Sequence, residues 1–375
     1  MDRRQLLAAG TGLLAAFSAR AQGTASDAEI LIGQTGVLSG PLGGPVKAML
    51  AGAQLAFTDI NAHGGVAGRA IKLISLDDEL KPDRAVANYE KLLSEHKVFA
   101  FFGCVGSATT AAAGPVLARS GAPLIGGYAV ADSAREKVKG SAYFVRAATG
   151  REAEAVVQHL TTIGLTNIAV AYLDNAGGQE ALALITAALD RRQLKPRGAA
   201  ALKGDGTTTA AAAKALAAAD AQAIVMYLGG AIPAELMKAI WAEGKTPVFY
   251  GMSIVPGEVA TKVLGDKARG LAIAQIVPYP WQEADPAVKE YRRLADLAQV
   301  PVGYYSFEGY LSALVLLEGL RRCGRDLTRA KLHAVMRAMK FKPTLGMELD
   351  FTGGRVTGSN FVELVQVGKD GRFVR

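Results

Sequence analysis

The 375-residue chain has little reactive chemistry to offer. It holds two cysteines, Cys104 and Cys323, and four histidines, His63, His96, His159 and His333. No histidine stands at metal-ligand spacing from another histidine or cysteine, so nothing supports a zinc site. No metal and no cofactor is expected. There is no Gly-x-Ser-x-Gly elbow and no Walker loop, and Gly40, Gly43 and Gly44 do not make a dinucleotide fingerprint. Aromatic residues are sparse at 7%. Basic residues are scattered, and the densest group, Arg321, Arg322, Arg325, Arg329 and Lys331, is interrupted by Cys323, Gly324 and Asp326. Nucleic-acid surfaces concentrate charge on one face, so this group reads as a solvated helix end. Beyond residue 21 no apolar run reaches spanning length, and no membrane insertion is expected. The cysteines sit at the ends of different elements, nothing places them at bridging distance, and they are expected to be unpaired thiols.

What is present is the composition of a globular protein: 50% hydrophobic and 20% charged residues. The length suits two domains. Residues 1–21 form a separate unit. Arg3 and Arg4 precede an apolar run over 6–19, and Ala19-Arg20-Ala21 supplies a small-x-small cleavage pattern. This is the layout of an export signal, too short to span a membrane. The arginine pair favours the twin-arginine route. Cleavage near Ala21 removes three arginines and one aspartate, so the net charge of +8 falls by two.

Strands and helices then alternate. Strands are predicted at 30–33, 71–76, 98–102 and 123–125, with helices at 46–62, 83–96 and 107–120 between them. The stretch 141–146 reads as a crossover. The rhythm restarts with a helix at 151–163, strands at 168–173, 223–228, 248–250 and 271–277, and helices at 179–189 and 233–242. Helices at 286–298, 306–322 and 327–339 and a closing strand at 361–365 complete the chain. Short strands joined by helices predict parallel sheets covered on both faces, in two α/β halves.

The segment FFGCVGSATTAAAGP, 101–115, is the most suggestive junction. A strand runs into a glycine-rich loop and then a helix, and ligands of open α/β sheets sit beyond such strand ends. Ser107 would be the N-cap, with the amides of Ala108 and Thr109 free to hold an anion. It reads either as a cap alone or as a ligand contact. Cys104 has no local base to activate it and reads as a packing residue.

Several motifs in order carry a resemblance: IGQTGVLSGP at 32–41, DINAHGGVAG at 59–68, Asp77-Asp78, the loop at 103–110, DNAGG at 174–178 and Glu308-Gly309-Tyr310. Together they resemble the leucine/isoleucine/valine-binding type of periplasmic substrate-binding protein, which serves ABC importers. The resemblance implies a type I fold of two lobes joined by three crossing strands. Lobe one would comprise 28–145 plus 277–350, and lobe two 146–276 plus 351–375. It implies a periplasmic monomer without enzymatic activity, whose partners are a small carboxylate-bearing ligand, an amino acid or an organic acid, and a transporter permease. A sensor feeding a signalling partner and an exported hydrolase are the competing expectations.

The same resemblance implies the site. Ser107, beside Gly106, matches the serine that holds the ligand carboxylate. Ala129 and Val130 match a second contact loop, and Tyr305 matches a cleft aromatic, although a core tyrosine would look the same. Two positions depart from the pattern. Gly177 replaces an aromatic, and Ser253 replaces the acid that pairs with an amino-acid ammonium. Asp174 is a candidate substitute for that acid. An unpaired buried ammonium is costly, so these departures leave room for a carboxylate without one.

Overall fold

A computed structural model of the protein describes residues 29–375. The expected export signal lies outside the described residues. The first half contains β1 (Glu29–Gly36), β2 (Ala70–Asp77), β3 (Ala100–Phe102), β4 (Leu124–Ile125) and β5 (Ala142–Tyr143). The second contains β6 (Ile168–Leu173), β7 (Gly198–Leu202), β8 (Ala223–Tyr227), β9 (Val248–Gly251) and β10 (Ala272–Gln275). A hairpin, β11 (Lys340–Thr344) and β12 (Met347–Asp350), and two last strands, β13 (Glu363–Val367) and β14 (Phe373–Val374), follow.

The first five strands form one parallel sheet in the order β2-β1-β3-β4-β5. The second sheet runs β14-β13-β10-β9-β8-β6-β7. Strands β6 to β10 are parallel in the same relative order as the first sheet, and β13 and β14 add antiparallel at the edge. Strand order therefore reverses once in each half, beside β1 and beside β6. The crevice at such a reversal is where open α/β sheets take ligands.

The chain passes between the sheets three times: after β5, after β10 and before β13. The first and third passages touch, because Phe144 forms a parallel bridge with Thr357. Helix Tyr304–Cys323 lies against helix Gly43–Ala62 of the first half. Two glycines permit that approach. A methyl on Gly52 would lie 1.7 Å from the Ser306 carbonyl oxygen, and one on Gly309 would lie 1.8 Å from that of Met49. Helix Gly43–Ala62 buries Val46, Met49, Ala53 and Phe57 along one face. It stops where Gly65 N–H donates to the Ile60 carbonyl at 2.8 Å, with Gly64 and Gly65 at positive φ.

Three expectations need correction. The single helix expected over 107–120 is two, Ser107–Ala112 and Gly114–Ser120. Pro115 has no N–H for the ladder, and its ring displaces the preceding turn. Residues 142 and 143, expected in the crossover, are a strand of the first sheet, and the passage begins at Phe144. The region between 190 and 222, where no element was expected, contains β7 and helix Thr209–Ala218. Both are built largely of alanine, which leaves almost no amphipathic signature.

Candidate ligand site between the lobes

The loops at the two strand reversals face each other across a cavity of about 150 Å³. Lobe one contributes Val37, Leu42 and Val46 from the β1 side and Leu80 from the β2 loop. It also contributes residues 105–109 after β3, and Tyr128 and Ala129 after β4. Lobe two contributes Leu173 and residues 175–177 after β6, Tyr227, Gly229 and Gly230 after β8, and Ile254. None of the described residues lining the cavity carries a charged side chain.

The lobe-one loops are stiff because they extend the sheet. Gly103 N–H donates to Ile125, Tyr128 N–H to Cys104, and Gly106 N–H to Tyr128, at 3.0, 2.9 and 3.1 Å. Gly106, at φ 95°, is the N-cap of the short helix, so Ser107 is its first residue and not the cap. The Ser107 hydroxyl oxygen instead accepts from Ala131 N–H at 2.9 Å, which leaves its proton free to donate. Two non-glycine residues on the wall, Leu80 and Ala129, are held in the left-handed region at φ 57° and 51°. The Asp78 carboxylate fixes Leu80 by accepting its N–H at 2.9 Å and the Thr35 hydroxyl at 2.9 Å. Burial pushes the Asp78 carboxyl above its usual range.

One pole of the cavity is polar. A methyl built on Gly177 would lie 3.0 Å from Ser107 Oγ, 3.5 Å from Asn175 Oδ1 and 3.7 Å from the Tyr227 hydroxyl. Groups of both lobes therefore converge on one point beside Gly177. Asn175 caps helix Ala176–Asp190 by accepting from Gly178 N–H at 2.9 Å, and the first two residues of that helix, Ala176 and Gly177, line the cavity. Tyr227 is 5% exposed, and its hydroxyl bonds to no other described residue. Burial raises that phenol to about 12, which keeps it protonated as a donor.

Of the residues expected at the site, Gly106, Ser107, Ala129 and Gly177 line the cavity. Four do not. Val130 is buried, and its carbonyl accepts from Arg135 Nε at 2.8 Å. Asp174 is exposed at the end of β6. Ser253 and Tyr305 belong to a buried network behind the wall. Tyr305 donates its hydroxyl to the Ser253 carbonyl at 3.3 Å, and its ring meets Tyr128 edge-on at 5.9 Å.

That network centres on Arg146, in the first passage between lobes. Its guanidinium is 3.7 Å from Glu152 and 3.5 Å from Glu308, donates to Ser253 Oγ, and lies 5.1 Å over the Tyr128 ring. Ser253 N–H donates to Glu152 at 2.8 Å. Burial pushes both glutamates up, and Arg146 pulls the other way without cancelling it. Burial also works against the Arg146 charge, but Glu308 and Glu152 outweigh it and hold the guanidinium protonated. Sequence reasoning missed this cluster, although an arginine in the apolar run YFVRAA was its visible sign. It also missed Leu42, Leu80 and Tyr227; Tyr227 ends a strand as Gly103 follows one, so the strand-end rule reaches it.

Leu42 reaches across the cleft. Methyls on Gly229, Gly204 or Gly230 of lobe two would lie 3.0, 3.4 and 3.5 Å from its side chain. A methyl on Gly230 would also lie 2.7 Å from the Pro41 carbonyl. The side chain thus sits in a notch formed by three glycines. Cys104 and Cys323 are both buried and unpaired. Burial raises the Cys104 thiol to about 12, so it is not a thiolate nucleophile. Of the histidines, only His333 is buried; its Nδ1 is 2.9 Å from the Tyr143 hydroxyl, far in sequence from the cavity loops. Among the described residues no group of three or more His, Cys, Asp or Glu side chains is placed to hold a metal.

Two mainly parallel sheets, three passages and a cavity at paired strand reversals define a two-lobed ligand-binding receptor of the type I fold. The chain belongs to the periplasmic binding protein family, whose model matches residues 29–372. It is similar to a substrate-binding periplasmic protein from Ralstonia solanacearum, at 29% identity and TM-score 0.86, covering 92% of this chain and 99% of that one. It is also similar to a possible leucine/isoleucine/valine-binding protein from Rhodopirellula baltica, at 25% identity and TM-score 0.84, covering 94% and 98%. An amino acid binding protein from Pseudomonas aeruginosa is 33% identical over 118 residues, a match spanning 32% of each chain.

Proposed function

We propose that the protein captures a small carboxylate-bearing solute between its lobes after export and hands it to the permease of an ABC importer, with no chemistry of its own. The observation that carries this reading is the donor-rich pole at Gly177. Ser107 and Tyr227 each offer a hydroxyl proton, from opposite lobes, to a single point. The first residues of two helices, 107–109 and 176–177, line the same cavity, and a carboxylate bound at this pole satisfies more than one donor at once. The rest of the wall is apolar. A solute held at this pole contacts both lobes only when they are closed, so its binding shifts the lobes toward closure. The division into lobes that we adopt is 28–145 with 277–350 and 146–276 with 351–375.

The test is calorimetry on the mature protein against small carboxylic acids, with a Ser107→Ala variant beside it. A hydrogen bond to a charged group contributes about 1.5–3 kcal/mol, so the variant should lose roughly 10- to 150-fold in affinity. Undiminished affinity removes Ser107 from the site. Deletion of the gene should abolish uptake of the same solute; unchanged uptake with a lost transcriptional response makes the protein a sensor instead.

A further inference from the structure

We infer that the solute is a monocarboxylate with an apolar body and no cationic group, and that the corresponding α-amino acids are excluded. This rests on the carboxylate reading above and narrows it. An α-ammonium entering this cavity would leave water and meet no anion, because every described lining residue is uncharged. The position expected to supply a counter-charge is Ser253, and its side chain, amide and carbonyl are all engaged, with Arg146, Glu152 and Tyr305. The two carboxylates behind that wall, Glu152 and Glu308, are committed to Arg146. Asp174, the other candidate, is exposed and does not line the cavity. A cation could also rest on an aromatic face, but the Arg146 guanidinium already lies 5.1 Å over the Tyr128 ring. What remains is the Ser107 hydroxyl, whose oxygen already accepts from Ala131 N–H and whose proton is free, and the Tyr227 hydroxyl; as donors they suit an anion better than an ammonium.

Size narrows the class further. The cavity of about 150 Å³ is of the order that accommodates one benzene ring. Leu42, Val46, Leu80, Val105, Leu173 and Ile254 supply an apolar surround for such a body. A single aromatic ring or a branched chain of similar bulk fits, and a long acyl chain does not.

The experiment is calorimetry on the mature wild-type protein with matched pairs that differ only by the ammonium. These are 3-methylbutanoate against valine, 4-methylpentanoate against leucine, and 3-phenylpropanoate against phenylalanine. Hexadecanoate tests the size limit. The expected result is that at least one short acid binds and exceeds its amino-acid partner by about 100-fold or more, the penalty for an unpaired buried charge being large. An amino acid that binds as tightly as its acid, or hexadecanoate that binds more tightly than the short acids, overturns the inference while leaving the carboxylate receptor standing. No binding by any member of the pairs or by hexadecanoate overturns both.

Discussion

Replacing Arg146 by methionine should destabilise the protein by an amount that depends on pH. The substitution keeps most of the side-chain volume and removes the guanidinium between Glu152 and Glu308. All three residues are almost fully buried, at 3%, 3% and 5% exposure. Stripping one partner from a buried ion pair costs about 3–5 kcal/mol. Protonation sets a limit on that cost. A carboxyl with an ordinary value of 4.5 is neutralised at pH 7 for about 3.4 kcal/mol, at roughly 1.4 kcal/mol per pH unit, and at pH 5 for well under 1 kcal/mol. Both glutamates are already raised in the folded protein. A raised carboxyl binds its proton more tightly when folded, so the stability it contributes is present at low pH and is lost as pH rises through the folded value. Without Arg146 the largest influence opposing the raising is gone, leaving Arg135 on both carboxyls and Ser253 on Glu152, and the loss between pH 5 and pH 8 steepens. At about 2–4 °C per kcal/mol, the Tm deficit of Arg146→Met should be of the order of 10 °C at pH 7.5 and should shrink to a few degrees at pH 5. Thermal melts of wild type and variant across pH 5–8 measure this. A variant that also carries Glu152→Gln and Glu308→Gln should recover most of the deficit at pH 7.5. A deficit independent of pH, or no recovery with the glutamines, refutes the account of two carboxylates held by one cation.

Three other outcomes follow from the packing. Gly177→Ala should separate affinity from stability: alanine favours the helix by about 0.5–1 kcal/mol, while its methyl, 3.0 Å from Ser107 Oγ of the other lobe, should weaken solute binding at least fivefold at overpacking costs of about 1–3 kcal/mol, read by calorimetry and melting together. Gly52→Ala should cost roughly 1–3 kcal/mol or more in denaturant unfolding because its methyl meets the Ser306 carbonyl, whereas Gly44→Ala on the same helix, whose methyl meets nothing within 4 Å, should stabilise by about 0.5–1 kcal/mol. Cys104, buried with its thiol near 12, should resist alkylation in the native protein at pH 8 and react only after unfolding; fast native labelling, followed by mass spectrometry, would show the loop to be open.

The alternation of strands and helices was legible because most strands carry continuous apolar runs, such as AFF at 100–102 and IAVAYL at 168–173. The loop at 103–107 was legible because a strand end, two glycines and a serine are adjacent in the chain. The other half of the site was not. Tyr227, Leu42 and Leu80 are separated by long stretches of sequence and meet only through the paired strand reversals, which no local pattern encodes. Side-chain direction was equally invisible: Ala129 and Val130 are neighbours, yet one faces the cavity and the other turns its carbonyl to Arg135. Tyr305 looks the same in sequence whether it lines the cleft or, as here, supports Tyr128 from behind.

The seat of Leu42 among Gly204, Gly229 and Gly230 bears on how long a solute stays. That contact is made by protein alone, yet it has to be undone each time the lobes part. On the proposed reading, the dwell time of the solute depends on this Leu42 contact between lobes as well as on the groups that hold the carboxylate. Of the three glycines only Gly204 lies outside the cavity lining, so on the proposed reading a change there acts on the exchange rate while leaving the chemistry of recognition as it is.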